Sequence, residues 1–299
     1  MTQARLDTRL VETRGLRFEV AACGAGDRLA LLLHGFPDTP HSYRRQMPLL
    51  ARLGYRVWAP YLRGYGKSDK PRGVRAYTLD ALENDVTDLI DASGARSVLL
   101  VGHDWGGGIA WSYAMHGTRP LERLVVLNSP HPECLRRGLR TRAQLARSWY
   151  MFFFQLPWLP ELLLRARDCR AITDAVRGTA VHPEHFSDED MEVLRRNARE
   201  PGALTAMLNY YRAMRLSGAR TRDRGVATIR VPTLLLWGER DQALGKELTY
   251  GTERFVENLT IRYLPDASHW VQQDAPEAVN AILEEWLAEP SVAHAADKH

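Results

Sequence analysis

Lysine is almost missing from this chain. Of its 40 basic residues only Lys67, Lys70, Lys246 and Lys298 are lysines, and the net charge is +4. No run of Lys and Arg is dense enough to form a nucleic-acid patch, so nucleic acid is not an expected partner. Cysteine is scarce as well. Cys23, Cys134 and Cys169 are odd in number and far apart, which excludes a disulfide framework and makes the reducing cytoplasm the expected compartment. No stretch approaches the roughly 18 consecutive apolar residues that a membrane span needs. The opening MTQARLDTRLVETRGL lacks the apolar core of a secretion signal, so no membrane partner is expected. Repeats and low-complexity tracts are missing too. Apolar residues (45%) and charged residues (25%) stand near the globular average, which excludes a disordered chain. A length of 299 residues allows one large domain or two small ones.

Short aliphatic runs recur at 29–33, 55–59, 97–101, 123–127 and 233–237, with a further strand candidate at 259–264. Near-continuous runs of this length fit strands buried on both faces of a parallel sheet. Between them, Leu79, Leu82, Val86, Leu89 and Ile90 recur at spacings of three and four, one apolar stripe of a helix over 78–93. The segments 105–117, 245–256 and 275–288 also predict helices. Alternation of strand and helix predicts a doubly wound, mostly parallel α/β sheet. The alternation stops over 131–225, a helical, aromatic stretch with 17 Arg against 11 acidic residues. It reads as a lid inserted into a core made of 1–130 and 226–299.

Four sites carry chemistry. Gly102-His103-Asp104-Trp105-Gly106 stands where a strand ends and a helix begins, with small residues two before and two after the central position. This is the pattern of a nucleophile elbow, with Asp104 where serine hydrolases have Ser. A carboxylate at a helix N-terminus is stabilised as the anion and needs no base to activate it. It can attack an sp3 carbon and form an ester. His34-Gly35-Phe36-Pro37 follows the strand at 29–33, where such folds supply one amide of an oxyanion hole. The expected donors are the amides of Phe36 and Trp105. Asp241, in Trp237-Gly238-Glu239-Arg240-Asp241, follows another buried strand. His269, in Ala267-Ser268-His269-Trp270, can act as base while Asp241 fixes its tautomer. The chain order Asp104, Asp241, His269 is nucleophile, acid, base.

With these motifs in hand, the sequence resembles an epoxide hydrolase of the α/β-hydrolase fold superfamily. The matching stretches are HGFPD (34–38), RGYGKSDKP (63–71), GHDWGG (102–107), WGERD (237–241) and SHWVQQDAP (268–276). The resemblance implies two lid tyrosines that hydrogen-bond the epoxide oxygen. They are Tyr150 in WYMFFFQLP (149–157) and Tyr211 in NYYRAM (209–214), the latter immediately before Arg212. An alkoxide is a poor leaving group, so acids with pKa near 10 must donate as the ring opens. The implied partners are a small apolar epoxide and water, with no metal or organic cofactor. Monomer and homodimer are both compatible with it. Phe36, Trp105 and Phe154 are the expected substrate contacts, with Trp149, Phe152, Phe153 and Trp158 as further lid or pocket aromatics.

Two alternatives stand beside this reading. A haloalkane dehalogenase would use the same nucleophile, but it wants a side-chain halide donor at position 36, where Phe stands. Fluoroacetate-type dehalogenases carry Arg at position 105, where Trp stands. A non-catalytic ligand-binding protein of the same fold would have lost part of the set. Other motifs fail. Gly66-Lys67-Ser68 ends like a P-loop, but position 61 is Tyr where Gly is required. His182 and His185 form a lone HxxH in a polar loop, too little for a metal site.

Overall fold

The computed structural model describes residues 7–289, with the backbone alone over 217–224. Eight strands form one sheet: β1 (Asp7–Glu12), β2 (Arg17–Cys23), β3 (Arg28–Leu33), β4 (Arg56–Pro60), β5 (Ser97–His103), β6 (Arg123–Leu127), β7 (Thr233–Gly238) and β8 (Leu259–Leu264). Their order is β1-β2-β4-β3-β5-β6-β7-β8. β1 pairs antiparallel with β2, and β2 antiparallel with β4; every other pairing is parallel. The aliphatic runs are the parallel strands, with β3, β6 and β7 buried almost throughout.

Alternation along each strand divides the core in two. Val98 and Leu100 of β5 pack with Leu82, Val86 and Leu89 of the helix Leu79–Ser93. Leu99 and Val101 pack on the other face, with Met47, Leu50, Val279 and Leu283. Full burial of each such side chain is worth about 1.5–3 kcal/mol, which is why the sheet, covered on both faces, is a rigid platform. The helix Leu79–Ser93 begins after extended Thr78 and ends at Gly94, whose φ of 62° closes the last turn.

Two differences from the sequence expectations have physical causes. β1 and β2 carry no aliphatic run. They are the antiparallel strands at one end of the sheet, β1 at the edge and β2 beside it, and β2 alternates at its start, burying Phe18 and Val20. The expected helix over 245–256 is instead two short 3-10 turns, Lys246–Thr249 and Thr252–Arg254. Gly251 between them takes a φ of 87°, which no helix continues through, and the β-branched Thr249 and Thr252 are fully buried. As expected, the chain between β6 and β7 is mainly helical, with the α-helices Pro132–Gly138, Arg142–Arg147, Trp149–Phe153, Leu159–Thr179, Asp188–Arg199 and Ala203–Arg224. The fourth is interrupted at Ala166–Cys169. Among the described residues no helix is long and apolar enough to cross a membrane.

Candidate functional site

Parallel strands deliver their C-terminal ends to one edge of the sheet, where ligand chemistry collects in such folds. Asp104 stands there, just past β5, with φ 50° and ψ −117°, a conformation L-residues avoid. The elbow is held by contact on all sides. A Cβ on Gly102 would collide with the backbone of Gly106, and one on Gly106 with the backbone of Leu33 and His34. The Ser129 hydroxyl donates to the Asp104 carbonyl at 2.8 Å.

The carboxylate is aimed by two neighbours. The Phe36 amide donates to Oδ1 at 2.8 Å, while Oδ2 stands 3.6 Å from His269 Nε2. Burial pushes the Asp104 pKa up; the nearby His269 and the Phe36 and Trp105 amides oppose it. His269 Nδ1 donates to Asp241 Oδ2 at 2.7 Å. Asp241 is closed in: Oδ2 also accepts from Asn128 Nδ2 at 2.9 Å, and Oδ1 accepts from the amides of Ala243 and Leu244, each at 2.8 Å. Burial would lower the pKa of His269, but Asp241, then Asp104 and Asp38, outweigh it and raise it to about 9. Asp104, Asp241, His269 and the Phe36 amide are thus brought together from four loops.

The inserted helices cover this edge with rings. Tyr211 lies edge-on to Trp105 (5.1 Å between centroids), Phe36 (5.4 Å), Phe154 (5.0 Å) and Tyr150 (6.0 Å). Burial and the Asp104 carboxylate hold both tyrosines above the ordinary value, hence neutral. The adjacent Tyr210 turns away and donates to the Arg63 carbonyl at 2.9 Å. Phe36, Trp105 and Phe154, the expected substrate contacts, all lie in this cluster. Of the further aromatics, Trp149, Phe152 and Trp158 do not: they are exposed. Around the short helix Trp149–Phe153, Tyr150 and the C-cap residue Phe154 face inward with Met151 and Phe153 partly buried beside them, while Trp149 and Phe152 face water.

Several residues that place these groups carried no sequence signal of their own. Asn128, after β6, has a φ of 37° and is fully buried. Its amide binds Asp241, and its Oδ1 accepts from the Gly238 amide at 2.8 Å. Its only trace in the sequence is an Asn closing an aliphatic run. Gln155 donates to the Tyr211 carbonyl at 3.0 Å. Arg212 donates to the Phe154 carbonyl at 3.1 Å and the Leu156 carbonyl at 2.7 Å, and grips both oxygens of Glu161. These bonds staple the two tyrosine-bearing segments together. His103 is neutral, because burial lowers its pKa well below the usual value; its Nε2 binds the His269 carbonyl at 2.9 Å. His182 and His185 are engaged elsewhere, with Glu184 and with the Asp274 carbonyl. Among the described residues no three His, Cys, Asp or Glu side chains are grouped to hold a metal.

A sequence profile of the alpha/beta hydrolase fold matches residues 31–276. The chain is 38% identical over 283 residues to the AB hydrolase superfamily protein YfhM of Bacillus subtilis (strain 168), covering 93% of this chain and 97% of that protein. It is 38% identical over 286 residues to epoxide hydrolase 4 of Homo sapiens, covering 93% of this chain and 78% of that one. Among solved structures, an epoxide hydrolase of Bacillus megaterium in complex with an inhibitor superposes with a TM-score of 0.85 at 29% identity, covering 94% of this chain and 100% of that chain.

Proposed function

The chain belongs to the α/β-hydrolase fold family, and from that premise we propose that it is an epoxide hydrolase that converts an apolar epoxide and water to a vicinal diol. The observation that carries the reading is a carboxylate, not a hydroxyl, at the elbow, with two neutral tyrosines in the ring cluster that covers it. A nucleophile for carbon and acids for an alkoxide leaving group are what ring opening asks for.

Asp104 Oδ2 attacks an epoxide carbon, the C–O bond breaks, and Tyr150 and Tyr211 donate to the departing oxygen. The product is a hydroxyalkyl ester whose carbonyl oxygen is Oδ1, already against the Phe36 amide. Esterification removes the negative charge beside His269, one of the charges that hold its pKa near 9. The imidazolium then releases its proton to solvent, from which the tyrosinate left by ring opening recovers one, and the neutral imidazole is free to act as a base. His269 Nε2 then takes a proton from water as that water attacks the ester carbonyl. The Phe36 and Trp105 amides stabilise the oxyanion, Asp241 holds the imidazolium, and collapse releases the diol and restores the carboxylate. In this reading residues 131–225 are a lid on a core of 1–130 and 226–299, and the enzyme works in the cytoplasm. Phe36 packs against Phe154 and Tyr211 and gives halide no side-chain donor, so a dehalogenase finds no support.

His269→Gln tests the two steps. With excess styrene oxide the variant is expected to accumulate an adduct of one substrate mass, read by intact-protein mass spectrometry, while diol formation stops. No adduct together with undiminished turnover, or halide release from alkyl halide controls, would overturn the reading.

A further inference from the structure

Single exposed hydrophobic side chains are ordinary, and a concentration of them is not. Seven of the eleven large hydrophobic side chains exposed among the described residues fall within 145–163. They include Trp149 (64% exposed), Phe152 (55%), Trp158 (69%) and the neighbouring Leu156, Leu162 and Leu163. Trp158 stands out in water at a φ of 50°, a value that L-residues with large side chains rarely take. The charge around them has one sign. Arg140, Arg142, Arg165 and Arg167 are exposed, and none of the four is in an ion pair among the described residues. The two acidic residues within 140–170 are taken: Glu161 by Arg212, Asp168 by Arg199.

We propose that the 145–163 face docks reversibly on an anionic lipid bilayer, with its Trp, Phe and Leu side chains at the interface and its arginines on the phosphates. Aromatic rings beside uncompensated arginines are the composition of interfacial segments, which need no spanning run. The expectation of no membrane partner rested on the lack of such a run and does not bear on surface docking. A second copy of this chain is the poorer occupant, because a two-fold contact would set the arginines of one face against those of the other. Trp149 and Phe152 of this face stand on the same short helix as Tyr150. If the epoxide reading holds, the docked enzyme has its apolar substrates dissolved in the phase it rests on.

Co-sedimentation tests the surface without turnover, so its failure and the failure of the epoxide reading are distinguishable. The full chain is expected to pellet with vesicles of phosphatidylglycerol and phosphatidylcholine in equal parts. Binding should weaken as salt is raised and be far poorer with phosphatidylcholine alone. Trp149→Ser, Phe152→Ser and Trp158→Ser combined are expected to lower partitioning by about tenfold or more, with the circular dichroism spectrum unchanged. Should that variant misfold, Arg142→Glu with Arg165→Glu decides, by abolishing the preference for anionic vesicles. The proposal is overturned by no pelleting at low salt, or by arginine variants that bind as the native chain does. It is equally overturned if light scattering finds a dimer that the serine variant takes apart.

Discussion

The two regions that meet over Asp104 are made of different material. The sheet edge contributes ionisable groups, each met by fixed donors: Asp241 by His269, Asn128 and two backbone amides, Asp104 by the Phe36 amide. The inserted helices contribute neutral hydroxyls and rings, held by Gln155 and Arg212. A buried charge is costly unless rigid partners compensate it, and the ends of a parallel sheet supply such partners. A neutral phenol makes no such demand, so it can be carried by helices that meet the sheet edge through packed side chains. The contrast predicts that pH acts on one region and ring chemistry on the other.

The largest effect expected from this contrast is on stability against pH. His269 has a folded value of about 9, above the ordinary 6.5. Its stabilising contribution is whole below about pH 6.5 and disappears as pH rises through 9. At about 1.4 kcal/mol per unit, this amounts to as much as about 3 kcal/mol. Asp38, raised by burial to about 7, also loses stability with rising pH, but lower, from about 4 to 7. Denaturant titrations of the native chain and His269→Gln across pH 6–10 separate the two. The difference between them should shrink with rising pH. Tyr150→Phe should keep the native slope, because both tyrosines stay neutral over that range. A slope unchanged in His269→Gln would mean that the sheet edge does not hold its charge this way.

Next in size is the effect of the rings on rate. Tyr150→Phe and Tyr211→Phe keep the packing and remove one acid each. Each is expected to slow adduct formation on Asp104 by about 100-fold. Hydrolysis of an adduct already formed should proceed at the native rate, since water activation belongs to the sheet edge. Stopped-flow and single-turnover measurements separate the steps. An equal loss in both would erase the division between the two regions.

The same division explains what could be read from the sequence. β3 to β7 were legible because burial on both faces demands aliphatic runs, and the half-exposed edge strand β8 by its apolar residues at 259, 261 and 264. Asp104 was legible because the elbow forces glycine at 102 and 106, and Asp241 and His269 because each follows a legible strand. β1 and β2 were not, since one wet face breaks the run. In the inserted helices, composition announced aromatics without saying which way they face. Tyr150 points in and Trp149 out, one residue apart, and only the packing of a five-residue helix decides between them. Gln155 and Arg212 stood inside recognisable motifs, but their bonds to carbonyls more than fifty residues away are long-range facts of the fold.

Asn128 is the extreme case and gives the smallest and sharpest test. Locally it is an Asn after a strand. In the fold it ties the end of β7 to Asp241, through Gly238 on one side and the carboxylate on the other. Asn128→Ala removes one of the four donors to Asp241 and leaves Asp104 and both tyrosines in place. Loss of such a bond is worth about 1–1.5 kcal/mol, so ester hydrolysis is expected to slow by about tenfold while adduct formation keeps its rate. A merely structural role would instead lower both rates with the melting temperature. Losses of the same size in both steps would therefore remove Asn128 from the positioning of His269 and return it to the scaffold.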